Sequence, residues 1–258
     1  MVQTGTNKIS KQIKALKERK SRDETGLFVS EGLRFVNEIP KDYKVEYYAF
    51  SENFCKENDL DTYEKRALCY VFDDKTFKDF SDTNNPQGII AVCRKKQFDI
   101  INLLKEKNNG LYIIAEELND PGNLGTIIRT ADACGADGVF LSKGSVDLYN
   151  SKVLRSTMGS VFHVPVVTDI EIEQCLELFK QNKITLYAAH LKGIKTPYEC
   201  DLKQSTAFVI GNEARGLSEK TAEMCDRLIK IPMPGKAESL NASVAAAVLM
   251  YEAVRQRL

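Results

Sequence analysis

Three stretches of the chain combine glycine or proline with polar side chains in a way that can bring a ligand up to the backbone. In LNDPGNLGTIIRTADACGADG (118–138), Leu124, Ile127, Ile128 and Ala131 make one helical stripe, Arg129 projects from the far side, and Asn123 stands where an N-cap would. In VIGNEARGLSE (209–219), Gly211 ends an apolar run and permits close backbone approach, with Asn212 and Glu213 at its rim. In IPMPGKAESLNASVAAAVLMYEA (231–253), Pro232, Pro234 and Gly235 stiffen an irregular loop, and Ser239 and Asn241 stand at the mouth of a long helix. Together they offer a guanidinium, amides, a carboxylate and a hydroxyl around a cradle poor in side chains. No histidine lies in the three, so an imidazole base has no candidate there. Each residue also has a plainer reading: Arg129 as a surface arginine, Glu213 as a helix-start acid, Ser239 as an N-cap. The glycine signatures of dinucleotide and P-loop sites are absent, as is Gly-x-Ser-x-Gly.

These stretches follow runs that read as strands: LYIIAEEL (111–118), GVFLS (138–142), ITLYAAH (184–190), TAFVIG (206–211) and RLIKIPM (227–233). Helical segments are expected within 147–157, 170–181 and 214–225, in a run of about a dozen residues ending at Gly135, and from about Ser239 to Arg257. The alternation predicts a largely parallel sheet with helices on both faces and ligands at the carboxyl ends of its strands. The interior of the last helix, 244–249, is apolar nearly all round and must be buried on several sides.

Upstream, Ile9, Ile13 and Leu16 predict a helix over 8–20 with a lysine-rich face, and 27–39 reads as a strand running into a helix. VEYYAF (45–50), LCYVF (68–72) and GIIAVC (88–93) read as strands, with helices over 52–65 and 74–80, which makes a small α/β unit. The charged stretch 94–110, ending in Asn-Asn-Gly, divides the chain into a domain at 1–100 and another at 109–258.

With 258 residues, 43% apolar and 28% charged, the chain is long enough for real cores, and no apolar run reaches the roughly 20 residues that span a bilayer. The first residues hold no apolar segment behind their charges, so no secretory signal is expected. Seven cysteines without Cys-x-x-Cys spacing and two histidines argue against a zinc site or a disulfide framework, and point to a cytoplasmic, reducing setting. Net charge is zero, yet Lys8, Lys11, Lys14, Lys17, Arg19, Lys20 and Arg22 face only Glu18 within residues 1–22. Such a basic arm on an acidic body suits phosphate binding, or simply solvates a helix face.

In their order and combination, NLGTIIRTADACGADGVFL, IGNEARGLSE and IPMPGKAESLNASVAAAVLMYEA resemble the three motifs of the SpoU-type (TrmH-like) RNA 2′-O-ribose methyltransferases of the SPOUT superfamily. SVDLYNSKVLRSTMGSVFHVPV (145–166) is similar to the family's stretch between the first two motifs. The N-terminal half is similar, through the basic helix and FVSEGLRFV (28–36), to a ribosomal-protein-like substrate-binding domain. The resemblance implies an α/β fold: a C-terminal parallel-sheet domain tied in a deep trefoil knot, and a small N-terminal α/β domain that binds RNA. It implies S-adenosylmethionine as methyl donor, held at Gly211, Ile231, Pro232, Met233 and Leu240, and a homodimer with a shared site. Ribosomal RNA, or else tRNA, is the implied substrate, with no metal and no membrane. The implied catalytic set is Arg129, Asn123, Glu213, Ser239 and Asn241. A guanidinium with a pKa above about 12 is a poor base, so Arg129 is expected to orient a phosphate and stabilise the developing alkoxide. Asn123 and Asn241 would then position loop and ribose, Glu213 would orient Arg129 or Asn123, and Ser239 would contact substrate or cap its helix. Ser151 and Thr157 stand where the family often has proline and alanine, which touches local backbone only. The alternatives are an inactive RNA-binding member of the fold, a methyltransferase acting on a base, and a small-molecule α/β enzyme.

Overall fold

The computed structural model describes residues 2–105 and 109–258; positions 106–108 of the charged stretch lie outside the described residues. The chain forms two compact units, Met1–Lys96 with Tyr149–Phe162, and Gln97–Leu148 with His163–Leu258. The segment Tyr149–Phe162, which the sequence reading counted with the second half, thus belongs to the first unit.

The first unit holds strands β1 (Val2–Thr4), β2 (Leu27–Glu31), β3 (Val45–Ser51), β4 (Leu68–Phe72) and β5 (Ile89–Arg94) in the order β1-β4-β3-β5-β2. Neighbours β1, β4 and β3 are parallel, and β5 runs antiparallel to both β3 and β2. The expected single helix over 8–20 is two, Asn7–Ala15 and Arg19–Thr25. Ile13 and Leu16 bury against Phe72, Phe77 and Phe80. Arg22 turns inward, 4% exposed, and donates to the carbonyls of Leu16 (2.8 Å) and Lys17 (2.6 Å), orphan acceptors at the end of the first helix. Lys17 meets Asp82, Arg19 meets Asp23 and Lys20 meets Glu24, which leaves Lys8, Lys11 and Lys14 exposed without ion-pair partners among the described residues.

The second unit is built on β6 (Leu111–Ala115), β7 (Gly138–Ser142), β8 (Val166–Ile170), β9 (Thr185–Ala189), β10 (Thr206–Ile210) and β11 (Arg227–Ile229), in the order β11-β9-β10-β6-β7-β8. Every pairing in it is parallel. β8 has no counterpart among the expected strands: it is an edge strand that buries only its end residues and so lacks a clear alternating signal. β11 is shorter than the expected 227–233; pairing stops before Pro232, which has no N–H to give. Helix Ile172–Gln181 covers one face through Phe179, whose ring lies 5.4 Å from Tyr112 and 5.0 Å from Phe140. Each such fully buried side chain contributes about 1.5–3 kcal/mol. Helices Pro121–Ala133 and Ala242–Arg257 pack on each other, and the latter also lies on β6 and β10.

The chain lays β6, β7 and β8 outward in one direction, starts again with β9 on the other side, and then inserts β10 between β9 and β6. The β6/β10 boundary is therefore the switch point of the sheet, with Ala115 and Ile210 paired at its carboxyl end. At the opposite end, the Arg257 guanidinium donates to the carbonyls of Leu202 (2.8 Å), Gln204 (2.9 Å), Asn109 (2.9 Å) and Gly110 (3.2 Å), just before β10 and β6 begin. Removing it takes the partner from the part-buried Leu202 carbonyl and the charged donor from the other three, of which Gly110 and Gln204 keep bonds from Thr206. Arg257→Ala is therefore expected to lower stability by about 1.5–3 kcal/mol in urea unfolding, with an unchanged m-value.

Candidate active site

Glu213, on the turn after β10, reaches across the switch point to the turn after β6. Its carboxylate accepts hydrogen bonds from the backbone N–H groups of Asn119 (3.1 Å) and Asp120 (2.9 Å) and from the Asn123 amide (3.0 Å). Partial burial pushes the carboxyl's pKa up, but these donors, led by Asn123, outweigh it and hold the acid below its ordinary range. The Asn123 oxygen in turn accepts from the Asn241 amide at 2.9 Å, and the Asn241 oxygen accepts from Ser243 N–H (2.9 Å) and Oγ (2.7 Å). One line of hydrogen bonds thus joins all three glycine- and proline-bearing turns.

Two cap assignments need correction. Helix Pro121–Ala133 is capped by Asp120, whose Oδ1 accepts from Asn123 N–H at 2.7 Å, so Asn123 is the third helical residue. The proline at the first helical position sets that frame. The last helix is capped by Asn241 and begins at Ala242, not near Ser239, which stays exposed in the loop before it. At the far end of the first of these helices, Gly135 takes a positive φ of 65° and Ala136 N–H bonds Ala131 at 2.8 Å, the expected glycine stop.

A cleft of about 300 Å³ opens at the carboxyl ends of β9, β10 and β11. Of the residues singled out in the sequence, Gly211, Asn212, Glu213, Ile231, Met233, Ser239 and Leu240 line it. Pro232 lies between two lining residues but is itself exposed, and Asn123 and Asn241 stand behind Glu213, outside the lining. A Cβ at Gly211 would come within 2.2 Å of the Gly216 carbonyl carbon and the Leu217 nitrogen, so only glycine lets the strand end and the loop lie together. Asn212 folds that loop: its Oδ1 accepts from Ala214 and Arg215 N–H, and its Nδ2 donates to the Glu117 carbonyl at 2.8 Å. Among the described residues, the main chain of 231–240 makes no hydrogen bond, so its N–H and C=O groups are free to meet a ligand.

Sequence reasoning missed Ala189, His190 and Leu191, which line the cleft from the end of β9; the rule that strand ends carry sites was the available signal. The His190 Nδ1 accepts from Lys192 N–H at 3.1 Å, so in the neutral ring Nε2 carries the hydrogen and can donate but not accept. Burial pushes the thiols of Cys175 and Cys225 up to about 12, which makes both poor nucleophiles near neutrality. Among the described residues no three His, Cys, Asp or Glu side chains gather as a metal site would need.

Arg129 is exposed on helix Pro121–Ala133 and does not line the cleft. Six residues at about 100° each turn it away from Asn123 and Glu213. Among the described residues its guanidinium has neither a hydrogen bond nor an ion pair.

A parallel α/β sheet with a glycine-walled cleft and free main-chain groups at the carboxyl ends of β9, β10 and β11, beside its switch point, has the form of a site for a nucleoside-sized ligand. The chain belongs to the SpoU rRNA Methylase family, whose pattern matches residues 110–251, while residues 7–91 match the MRM3-like substrate binding domain. It is 33% identical, over 97% of both chains, to the 23S rRNA (guanosine(2553)-2′-O)-methyltransferase RlmP of Bacillus subtilis. Among solved structures, the AdoMet-bound rRNA methyltransferase from Sinorhizobium meliloti superimposes with a TM-score of 0.88 at 30% identity, over 100% of this chain and 98% of that one. The SpoU methyltransferase AviRb from Streptomyces viridochromogenes, in complex with AdoMet, gives 0.86 at 28% identity over 98% of both. S-adenosylmethionine is the cofactor of this family site, and the cleft at Gly211 fits it in size and in its exposed backbone. We expect Gly211→Ala to abolish S-adenosylmethionine binding in calorimetry while the circular dichroism spectrum stays that of the wild type.

Proposed function

We infer that this protein is an S-adenosylmethionine-dependent RNA methyltransferase that modifies a ribose 2′-hydroxyl of ribosomal RNA. The observation that carries the reading is the Glu213–Asn123–Asn241 line of hydrogen bonds beside a cleft walled by Gly211 and the free main chain of 231–240. Similarity to a 23S rRNA 2′-O-methyltransferase over nearly the whole of both chains supports ribosomal RNA over tRNA. The donor supplies a methyl carbon whose bond to sulfur breaks as the ribose oxygen attacks in line. Gly211, Ile231, Met233 and Leu240 hold the donor, chiefly through main-chain groups, with Pro232 stiffening their loop. Asn123, Glu213 and Asn241 fix the walls on which donor and ribose meet, and Ser239, exposed at the rim, contacts the RNA.

Arg129 orients the neighbouring phosphate and stabilises the alkoxide as it forms, while a phosphate oxygen or water takes the proton. Because Arg129 lies off the cleft of its own chain, the complete site calls for a second copy. Supporting a homodimer, Val244 (46% exposed) and Tyr251 (54%) form an apolar stripe with the half-buried Val248 on the last helix, which packs on the helix carrying Arg129.

The N-terminal unit grips RNA through Lys8, Lys11 and Lys14, whose charges meet no carboxylate among the described residues. A trefoil knot in the second unit fits the close main-chain approaches there: a Cβ on Gly193 would lie 2.6 Å from the Ile229 carbonyl carbon, alongside the contact at Gly211. Among the described residues no helix is long and apolar enough to cross a membrane, and the seven cysteines are all free, which supports cytoplasmic work.

With tritiated donor and ribosomal RNA, label is expected in nuclease-resistant dinucleotides, the signature of 2′-O-methylation. Arg129→Ala should cut turnover by about 10²–10³ and leave donor affinity intact. Co-purified dimers of R129A and G211A chains should regain activity that neither variant has alone; full activity in R129A itself refutes the role. Replacing Lys8, Lys11 and Lys14 with glutamate should weaken RNA binding and flatten its salt dependence, with donor affinity unchanged.

A further inference from the structure

The loop that walls the cleft, 211–217, is held at both ends by a residue outside it. Glu116 follows β6 and is 9% exposed. Its backbone N–H donates to the Ile210 carbonyl at 2.8 Å, where the loop leaves β10. Its carboxylate accepts from Ser218 N–H (2.8 Å), Ser218 Oγ (2.8 Å) and Thr221 Oγ1 (2.6 Å), where the loop enters helix Glu219–Met224. Ser218 Oγ is engaged in the opposite sense as well, accepting from Thr221 N–H at 3.2 Å as the cap of that helix. The next residue continues the same template: the Glu117 carbonyl accepts the Asn212 amide and its carboxylate pairs with Arg215, a cleft residue.

We propose that Glu116 is a positioning residue for the methyl donor, clamping both ends of the 211–217 loop so that its main chain meets the donor in one fixed geometry. The proposal rests on the reading of the cleft as the donor site. Glu116 itself is sealed behind the loop and does not line the cleft. A buried carboxylate costs desolvation, and here three donors satisfy it; all three belong to the segment that closes the loop. An ordinary core position would be met at lower cost by an apolar side chain. Loop order set in advance spares the ordering entropy that binding would otherwise carry.

The test uses Glu116→Gln in the full-length protein, an isosteric change that turns an acceptor toward a donor and sets Nε2 against the Ser218 N–H or a hydroxyl. Donor affinity by calorimetry should weaken about tenfold or more, with a stoichiometry unchanged per chain, because one hydrogen bond is lost and one donor is left facing another. The rate at saturating donor and RNA should stay within about twofold, so that KM for the donor moves and kcat does not. Hydrogen exchange at the amides of 211–218 should quicken in the variant without any donor present. Thr221→Val, which removes a single donor to the carboxylate, should show the same pattern in weaker form and serves if E116Q fails to fold.

Wild-type affinity together with wild-type exchange rates in the folded variant overturns the proposal. So does a fall in kcat with unchanged donor affinity. Failure of the wild-type protein to bind S-adenosylmethionine at all sinks the functional reading instead, and the exchange measurement still decides whether Glu116 clamps the loop.

Discussion

The carboxylate of Glu213 makes one object out of three turns that lie far apart along the chain. It takes the backbone N–H groups of Asn119 and Asp120 and the amide of Asn123, and Asn123 passes the connection to Asn241. The middle position must donate to a carboxylate on one side and accept from an amide on the other. Only a side chain with both functions, at this length, can do that: an aspartate there would set two carboxylates against each other, and a leucine would take the acceptor from the Asn241 amide and one of three donors from Glu213. The chemistry of the residue is thus dictated by its place between the two neighbours.

Most of the parallel sheet was legible because its central strands are buried on both faces and read as unbroken apolar runs, as LYIIA and TAFVI do. The edges were less so. β8 shares its surface with solvent and leaves no periodic signal, and β11, expected over 227–233, is only three residues long. Caps misled for a different reason. Asn123 and Ser239 are good capping residue types, but Asp120 and Asn241 stand nearer the true helix starts and take the N–H groups first. The polar residues of the site were visible as types, while their partners were not, since a hydrogen bond between Asn123 and Asn241 depends on two helices being packed side by side. Arg22 shows the converse: counted with a basic surface, it spends its charge on two helix-end carbonyls inside the first unit.

The cleft sets two kinds of backbone against each other. On one side, the Gly211–Leu217 approach is too tight for any side chain, and Asn212 and Glu117 lock the loop around it. On the other, 231–240 leaves its N–H and C=O groups outside any ladder. Two prolines in that stretch limit the conformations it can sample, so its free polar groups need not be ordered from a wholly flexible chain on binding. A ligand recognised by main chain in this way requires the shape of the loop more than the identity of its side chains. That explains why so few charged or aromatic residues mark the cleft in the sequence.

Arg129 follows a different logic. The helix that carries it is fixed at its first turn by Asp120 and Asn123 and along its length by the C-terminal helix, yet the guanidinium at its outer face has no partner within the described chain. An arginine tied into an ion pair would have to give up that bond to meet a phosphate, and would carry the cost into every turnover. One held on a rigid helix with its donors free keeps its full fork for a bidentate contact, with only side-chain entropy to lose. In the proposed reaction this arrangement would separate two demands: a donor cradle built from hydrogen-bonded turns, and a cation kept unpaired until an anionic substrate completes it.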